Sequence, residues 1–566
     1  MKYLLISLLA LGCSFGKKNN EKSEGHHRLY SSPREDDLSK LATTERRLIL
    51  ISTNDLKGQL EAQQERSEDT HSPEKTLISV GGADIMARYM EILRAQYPEQ
   101  VLLVDAGNAL SGTLVSRSSG AKALVEMFAR LKYDAVALSA NDLAAGPSMK
   151  ASLSPTGWMP SLFKTQKTPV LLSNLLDLKT TRPVDWGKTT PQLLKEINDV
   201  KVGFIGLLPD DLPAKLDASV LNGLYVEPAM QAFLKQSRSL RLKGAEVIVL
   251  VMHGGVKCGV ERAQSKNLPL AKVNFDPREP KVCDNDGALA KFVNELPSGS
   301  VDAVITGGGP GKVANFINGI PVMQAFGQGT SFARVDLVWD IEKKALNAEK
   351  TMVHQPVRLC HRFFKETEDC FTEDNSVDHR QLVPARYLDK GIFPDPATAE
   401  WLQFWRDMMV SEVRPLMQND EPQVLGQDVA DAVLATSAVD VAVVGGRDWQ
   451  LTLPRGITTW RDLYAQAAAR ESIRLVTVTG AELGMLRENL AQVWWANQLP
   501  WETLMTKESV TLAVSGLLWQ KQMRKLSTWT HSRAPFVVAD TIVSWERDTV
   551  NVRASGRSPA LPHTQP

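Results

Sequence analysis

Residues 48–58 read Leu48-Ile49-Leu50-Ile51-Ser52-Thr53-Asn54-Asp55-Leu56-Lys57-Gly58, four aliphatic side chains running straight into polar ones. Short apolar runs of the same kind recur at Val101–Val104, Ala135–Leu138, Val170–Leu172, Val202–Ile205, Val247–Val251 and Val301–Ile305. Most are rich in Val, Leu or Ile, with polar or glycine residues close by. Runs so short and so uniformly apolar suit strands buried on both faces. Amphipathic helical patterns lie between them, for example Ala83–Leu93 and Pro228–Leu242. Strands alternating with helices predict a layered α/β domain. Two later strands, Pro321–Phe326 and Ala333–Trp339, alternate more and are expected to be antiparallel.

Beyond this unit the pattern breaks. Residues 341–393 lack periodicity and carry Cys360 and Cys370, so they read as a connecting segment with an inserted loop. A long helix is expected from Asp395-Pro396 to about Met417, with Trp401, Phe404, Trp405, Met408 and Met409 on one broad core face. A second α/β unit follows, with strands at Val439–Val444, Arg474–Val478, Leu512–Val514 and Phe536–Ala539 and a helix at Ala481–Gln492. The expected division is a signal peptide over 1–12, a tether over 13–47, a first domain over 48–340, a linker over 341–425, a second domain over 426–551 and a tail over 552–566.

Composition agrees with this division. At about 150 residues per domain, 566 residues predict roughly two to four domains. The apolar share of 43% and charged share of 23% exclude a collagen-like, coiled-coil or mostly disordered chain. Sixty-five basic and 65 acidic side chains cancel, which argues against a nucleic-acid partner. Of 13 Trp residues, ten lie after position 400.

The amino terminus reads as a targeting segment: Lys2, a short apolar run from Tyr3 to Leu11, then Gly12 and Cys13. Leu11-Gly12-Cys13 resembles the bacterial lipoprotein cleavage box, which makes Cys13 the lipidated first residue of the mature chain. Ser14 resembles the outer-membrane sorting pattern. An ordinary secretory signal with a chance cysteine is the alternative, and both readings place the protein outside the cytoplasm. The expectation is a bacterial envelope protein held by its lipid at the outer membrane, facing the periplasm or the cell surface. The polar stretch from Gly16 to Arg47 cannot bury a core and reads as the tether. Four cysteines remain, Cys258, Cys283, Cys360 and Cys370; an even number in an exported chain suggests two disulfides. The nearest pairing is Cys258–Cys283 with Cys360–Cys370, although sequence alone leaves the connectivity open.

The order of segments resembles the two-domain 5′-nucleotidase / UDP-sugar hydrolase family of metallophosphoesterases. The likeness rests on Ile51 to Gly58, Gly81-Gly82, Val101 to Thr113, Tyr133 to Gly146, Val202 to Leu207, Met252 to Gly255, Val301 to Gly311 and, in the second unit, Val439 to Gly480. It implies a calcineurin-like α/β/β/α first domain and a nucleotidase-type α/β second domain. Family members hold two divalent ions about 3.5–4 Å apart that clamp a phosphoryl group and activate water. Their ligand pattern maps onto Asp55 and His253, which are kept, and onto Lys57, Asn108, Ala140, Gly309 and Gly311, which are not the family's ligands. An ammonium at Lys57 offers no lone pair to a metal, and Asn108 lacks the charge of the bridging carboxylate it replaces. Asn141 stands at the catalytic His and Asp142 at that residue's acidic partner; a one-residue slip would instead put Asn141 on the metal.

In the second domain Gln450 stands at the Arg that would hold the substrate's charged end, and Ala469 lies in the segment that would supply a stacking ring. Trp449 is a candidate aromatic nearby. The resemblance therefore implies retained fold with lost catalysis. The expectation is no cofactor, or at most one weakly held divalent ion on Asp55, Asn108 and His253, with Lys57 pairing to Asp55 or Asp105 as the alternative. Apart from the membrane, the partner would be a small ligand or an envelope protein bound in the former interdomain cleft. A residual single-ion nucleotidase is the competing function.

Overall fold

The structure is a computed structural model. It describes residues 41–66, 77–144, 155–164, 166–216, 220–258, 283, 287–309, 311–365, 370 and 382–408. In the carboxyl-terminal unit it describes 415–419, 423–424, 430–431, 433–434, 439–445, 452–453, 456–459, 472–490, 493–515 and 531–537. Cys13, Trp449, Gln450 and Ala469 lie outside the described residues. Among the described residues no helix is long and apolar enough to cross a membrane.

The Leu48–Ile51 run is the middle of strand Glu45–Thr53, and its four side chains are fully buried. Successive side chains of a strand point to opposite faces, and here both faces find a core. Ile49 and Ile51 join the cluster under helix Ala83–Gln96, which presents Ile85, Met86, Tyr89 and Leu93 along one stripe. Leu48 and Leu50 point the other way, into a cluster shared with Val202 and Phe204 of strand Val200–Leu207 and with Val249 and Val251 of strand Val247–Met252. Those strands also alternate: Ile205, Leu207, Ile248 and Leu250 pack under helices Ala229–Leu242 and Ala288–Glu295. The result is four layers, helix, sheet, sheet, helix.

In the first sheet Glu45–Thr53, Val101–Asp105, Ala135–Ala137 and Val170–Leu171 are parallel neighbours. In the second, Val200–Leu207, Val247–Met252 and Ala303–Thr306 are parallel neighbours. Parallel strands end on one side, so the loops after Thr53, Asp105, Ala137, Met252 and Thr306 gather along one edge of the two sheets. That edge carries the candidate site.

Three expectations need correction. Ile320–Gln324 is antiparallel to Val313–Ile317 but parallel to Ala303–Thr306, whereas Ser331–Asp340 is antiparallel to Glu45–Thr53 as expected. The first sheet also runs past Asp340, because Met352–Arg358 pairs with Ser331–Asp340. The long helix spans Pro396–Met408, and Pro415–Asn419 is a strand; proline has no N–H to continue a helix. On that helix Trp401 and Trp405 are buried, but Phe404 and Met408 are 55% and 62% exposed, so the core stripe is narrower than expected.

The carboxyl-terminal unit has its own five-stranded sheet, ordered Val493–Asn497, Val441–Gly445, Val510–Ser515, Ser472–Val478, His531–Val537. Val441, Val443, Leu483 and Leu512 are in its core. Trp494 and Trp495, just past the helix expected over Ala481–Gln492, lie on a strand of this sheet. Disulfides join Cys258 to Cys283 and Cys360 to Cys370, the nearest pairing.

A candidate site built on Asp55

Asp55 follows the first strand and is 7% exposed. Three non-glycine residues of this edge take the left-handed backbone region, Asp55 at φ 50°, Lys57 at 55° and Asn108 at 61°. L-residues adopt that region at a cost, so the neighbouring structure must hold them there. Two loops zip together to do so. The Asp55 N–H donates to Gly107 O, the Lys57 N–H to Asn108 O and the Gly58 N–H to Ala109 O, each at 2.9 Å. The Lys57 backbone is thus fixed at this edge.

Both carboxylate oxygens of Asp55 are engaged. Oδ1 accepts from Asn108 Nδ2 at 2.5 Å and lies 3.1 Å from His253 Nε2. Oδ2 accepts from Asn54 Nδ2 at 3.0 Å and from the Gly308 N–H at 2.8 Å. Burial alone would raise the Asp55 pKa. His253, Asn54 and the Gly308 amide outweigh it and hold the carboxyl well below the usual carboxylate range. Asn141 Nδ2 donates to Asn108 Oδ1 at 3.2 Å. His253, Asp55, Asn108 and Asn141 therefore form one connected chain of side chains.

Asp142 does not face this chain. Its Oδ2 accepts from the Asn108 N–H, the Ser139 N–H and Ser139 Oγ, and its Oδ1 from the amides of Ala109 and Leu110, all at 2.6–2.9 Å. Asp105 lies deeper. It accepts from Thr53 Oγ1 at 2.6 Å and the Gly107 N–H at 2.8 Å, and complete burial pushes its carboxyl well above the usual range.

The glycine run after Ala303–Thr306 lies flat on His253. A Cβ at Gly308 would stand 2.6 Å from His253 Cε1, and one at Gly307 2.8 Å from Cδ2. At Gly309 a Cβ would meet Val256 O at 2.7 Å. Fully buried Gln324 pins this turn, donating to Gly309 O at 3.1 Å and Gly311 O at 2.7 Å and accepting from the Gly309 N–H at 3.2 Å.

Of the residues singled out by sequence, Asp55, Asn108, Asn141 and His253 are thus brought together. Ala140 opens the short helix that carries Asn141, and Gly309 and Gly311 lie in the pinned turn. Sequence reading gave no role to Asn54 or Gln324. Asn54 is 2% exposed and links Asp55 to the backbone of Ala325. Its place beside Asp55 was an available signal, whereas nothing local marks Gln324, which acts across a hairpin.

No family model matches the chain. Among curated proteins it is 24% identical to the 2′,3′-cyclic-nucleotide 2′-phosphodiesterase/3′-nucleotidase of Salmonella typhimurium over 42% of this chain and 36% of that one. It is 26% identical to the snake venom 5′-nucleotidase of Naja atra, over 37% of this chain and 36% of that one. The human 5′-nucleotidase is 24% identical over 37% of this chain and 34% of its own length. The chain thus spans about a third of the length of these relatives. Among solved structures, a 5′-nucleotidase precursor from Thermus thermophilus superposes with a TM-score of 0.55 at 17% identity, covering 89% of this chain and 96% of that one. A putative 5′-nucleotidase from Staphylococcus aureus gives 0.59 at 15% identity, covering 89% and 97%.

Proposed function

From a chain that is a homologue of the 5′-nucleotidase family of metallophosphoesterases and has their fold, we propose a catalytically silent member of that family. It is a lipid-anchored envelope protein that binds a ligand or a partner protein through the cleft between its two units. The observation that carries this reading is the filled shell of Asp55. An asparagine N–H donates to Oδ1, the oxygen that His253 also approaches, and two further N–H groups occupy Oδ2.

The donor set does not fit a pair of divalent ions. A two-metal centre needs several anionic or imidazole lone pairs around two cations. Here Asn108 contributes a neutral amide whose oxygen already accepts from Asn141. Ala140, Gly309 and Gly311 offer no side-chain donor, and Lys57 carries a positive charge.

A binding role draws support from the carboxyl-terminal tryptophans. Trp495 and Trp501 are only partly buried, with ring centroids 5.5 Å apart, and the Arg487 guanidinium lies 4.3 Å from the Trp501 ring centroid. Rings of this kind anchor many interfaces.

One observation favours a second reading, a single-ion phosphoesterase: Asp55, Asn108 and His253 converge on one point. Metal content and turnover separate the two. The purified chain is assayed against AMP, 2′,3′-cyclic AMP and bis(p-nitrophenyl) phosphate with added Mn, Co or Zn. The proposal expects less than one ion per chain and no turnover above the Asp55→Ala variant. One ion per chain, with turnover lost in both Asp55→Ala and His253→Ala, would establish the single-ion reading. Two ions with Asp55-dependent turnover would overturn both.

A further inference from the structure

Asparagine is followed by glycine twice in the chain, at Asn222-Gly223 and Asn318-Gly319. Such a pair can react with itself, because glycine leaves its amide nitrogen open to the carbonyl carbon of the asparagine side chain. Both asparagines are exposed at turns, but the structure holds the two pairs differently.

Asn318-Gly319 is the two-residue loop joining strands Val313–Ile317 and Ile320–Gln324. Both residues take the left-handed backbone region, at φ 50° and 78°, as a type I′ turn requires. Ile317 pairs with Ile320 directly beside the loop, and the ladder continues to Val313 opposite Gln324. The side chain is held as well, with Asn318 Nδ2 donating to Asn294 Oδ1 at 2.7 Å.

Asn222-Gly223 is held more loosely. Asn222 makes no side-chain hydrogen bond among the described residues, and the Gly223 N–H donates to no acceptor among them. A Cβ built on Gly223 would meet nothing within 4 Å, so the space around this residue is open. One bond closes the turn, from the Leu224 N–H to Leu221 O at 2.9 Å, and the Leu178 N–H donates to Gly223 O at 2.9 Å. Beyond them only the short pairing of Leu224–Val226 with Leu175–Asp177 follows.

We propose that Asn222 is a site of spontaneous intramolecular deamidation in the native protein, whereas Asn318 is protected by its hairpin. A solvent base takes the Gly223 amide proton, and the nitrogen attacks Asn222 Cγ. The Cγ–Nδ2 bond breaks, the side-chain nitrogen leaves as ammonia, and a five-membered cyclic imide remains. One water then opens the ring. Cleavage at Cγ gives aspartate, and cleavage at the main-chain carbonyl gives isoaspartate, whose chain runs through the former side chain. Closure depends on nitrogen and Cγ meeting, and a frame that keeps reacting atoms apart slows an intramolecular step steeply. The isoaspartate product adds one carbon to the main chain beside Gly223, which loosens the bond between its carbonyl and Leu178.

The test is to age the full chain at mildly alkaline pH and follow both pairs by peptide mass mapping. In the native chain Asn222 should convert at least about tenfold faster than Asn318. In urea, where the hairpin is lost, the two rates should converge. Isoaspartate and aspartate should both form at Asn222, distinguished by electron-transfer fragmentation, and hydrogen exchange at the Leu178 amide should quicken in the isoaspartate fraction. Asn222→Gln, altered at an exposed position and needing a larger ring to close, should show no conversion there. Equal native rates at the two pairs, or conversion of Asn222 only after unfolding, would overturn the proposal. So would aspartate formed without isoaspartate, which would mean direct hydrolysis in place of ring closure. Unchanged exchange at Leu178 would overturn the structural consequence.

Discussion

Asp142 shows how much one buried carboxylate can organise. Three consecutive amides, from Asn108 to Leu110, converge on it together with the Ser139 N–H and hydroxyl. Truncation to alanine would leave these donors buried without an acceptor, so Asp142→Ala should cost roughly 3–5 kcal/mol in urea unfolding. Asn141→Ala removes one bond of 3.2 Å from an exposed residue and should cost about 0.5–1 kcal/mol. A reversed ranking would contradict the structural role given to Asp142. The sequence marked Asp142 only through its resemblance to a residue that partners a catalytic histidine. Its link to Asn108, 34 positions earlier, is a contact between two strand ends that no local pattern records. Asp55 and His253 were legible because the ligand pattern of the family that the chain resembles maps onto them.

At the level of elements, apolar runs exposed the buried strands, and the failures are instructive. Strand Met352–Arg358 was invisible because His354, Gln355 and Pro356 interrupt its apolar pattern. The register of its pairing shifts opposite Phe332 and Arg334, which accommodates a proline at the sheet edge. Its partner Ser331–Asp340 buries the ion pair of Arg334 and Asp336, whose two bonds measure 2.6 and 2.7 Å. Burial alone would raise the Asp336 pKa, but Arg334 and His354 hold it well below the usual carboxylate range. A depressed native pKa gives a stabilisation fully present above the unfolded value of about 3.9 and lost as pH falls through the native value. Part of the acid sensitivity should therefore disappear in Asp336→Asn, with a flatter stability curve below about pH 4. At pH 7 the same variant should be less stable by about 3–5 kcal/mol, because it strands a buried guanidinium. Chemical denaturation across pH checks both statements.

For the whole molecule, attachment and cross-linking are the testable features. If Cys13 carries lipid, Cys13→Ala should move the protein from the membrane fraction to the soluble one in a bacterial host that processes lipoproteins. A variant that stays with the membrane would contradict the anchor. The Cys360–Cys370 bridge closes a separation of 10 residues beside the pairing of Val80 with Cys360. Replacing both cysteines with serine should cost about 2–3 kcal/mol, read as a lower thermal midpoint. The order of the two units was legible from the chain because each repeats its own alternation of strand and helix. Where the first sheet stops was not, because sheet membership depends on pairing rather than on composition.

If the proposed loss of catalysis is right, the glycine turn lying on His253 bears on whether a metal site could be rebuilt. A Cβ at position 309 would crowd the Val256 carbonyl oxygen at 2.7 Å, and one at 308 would stand 2.6 Å from the His253 ring, so a side chain at either position requires the backbone to shift. Grafting histidines one at a time would therefore meet a steric wall before it met a metal. Repair would have to begin with the path of the backbone, with ligands following later. On the proposed reading such a loss would act as a ratchet: small residues let the chain settle into the space, and the settled chain then blocks the way back.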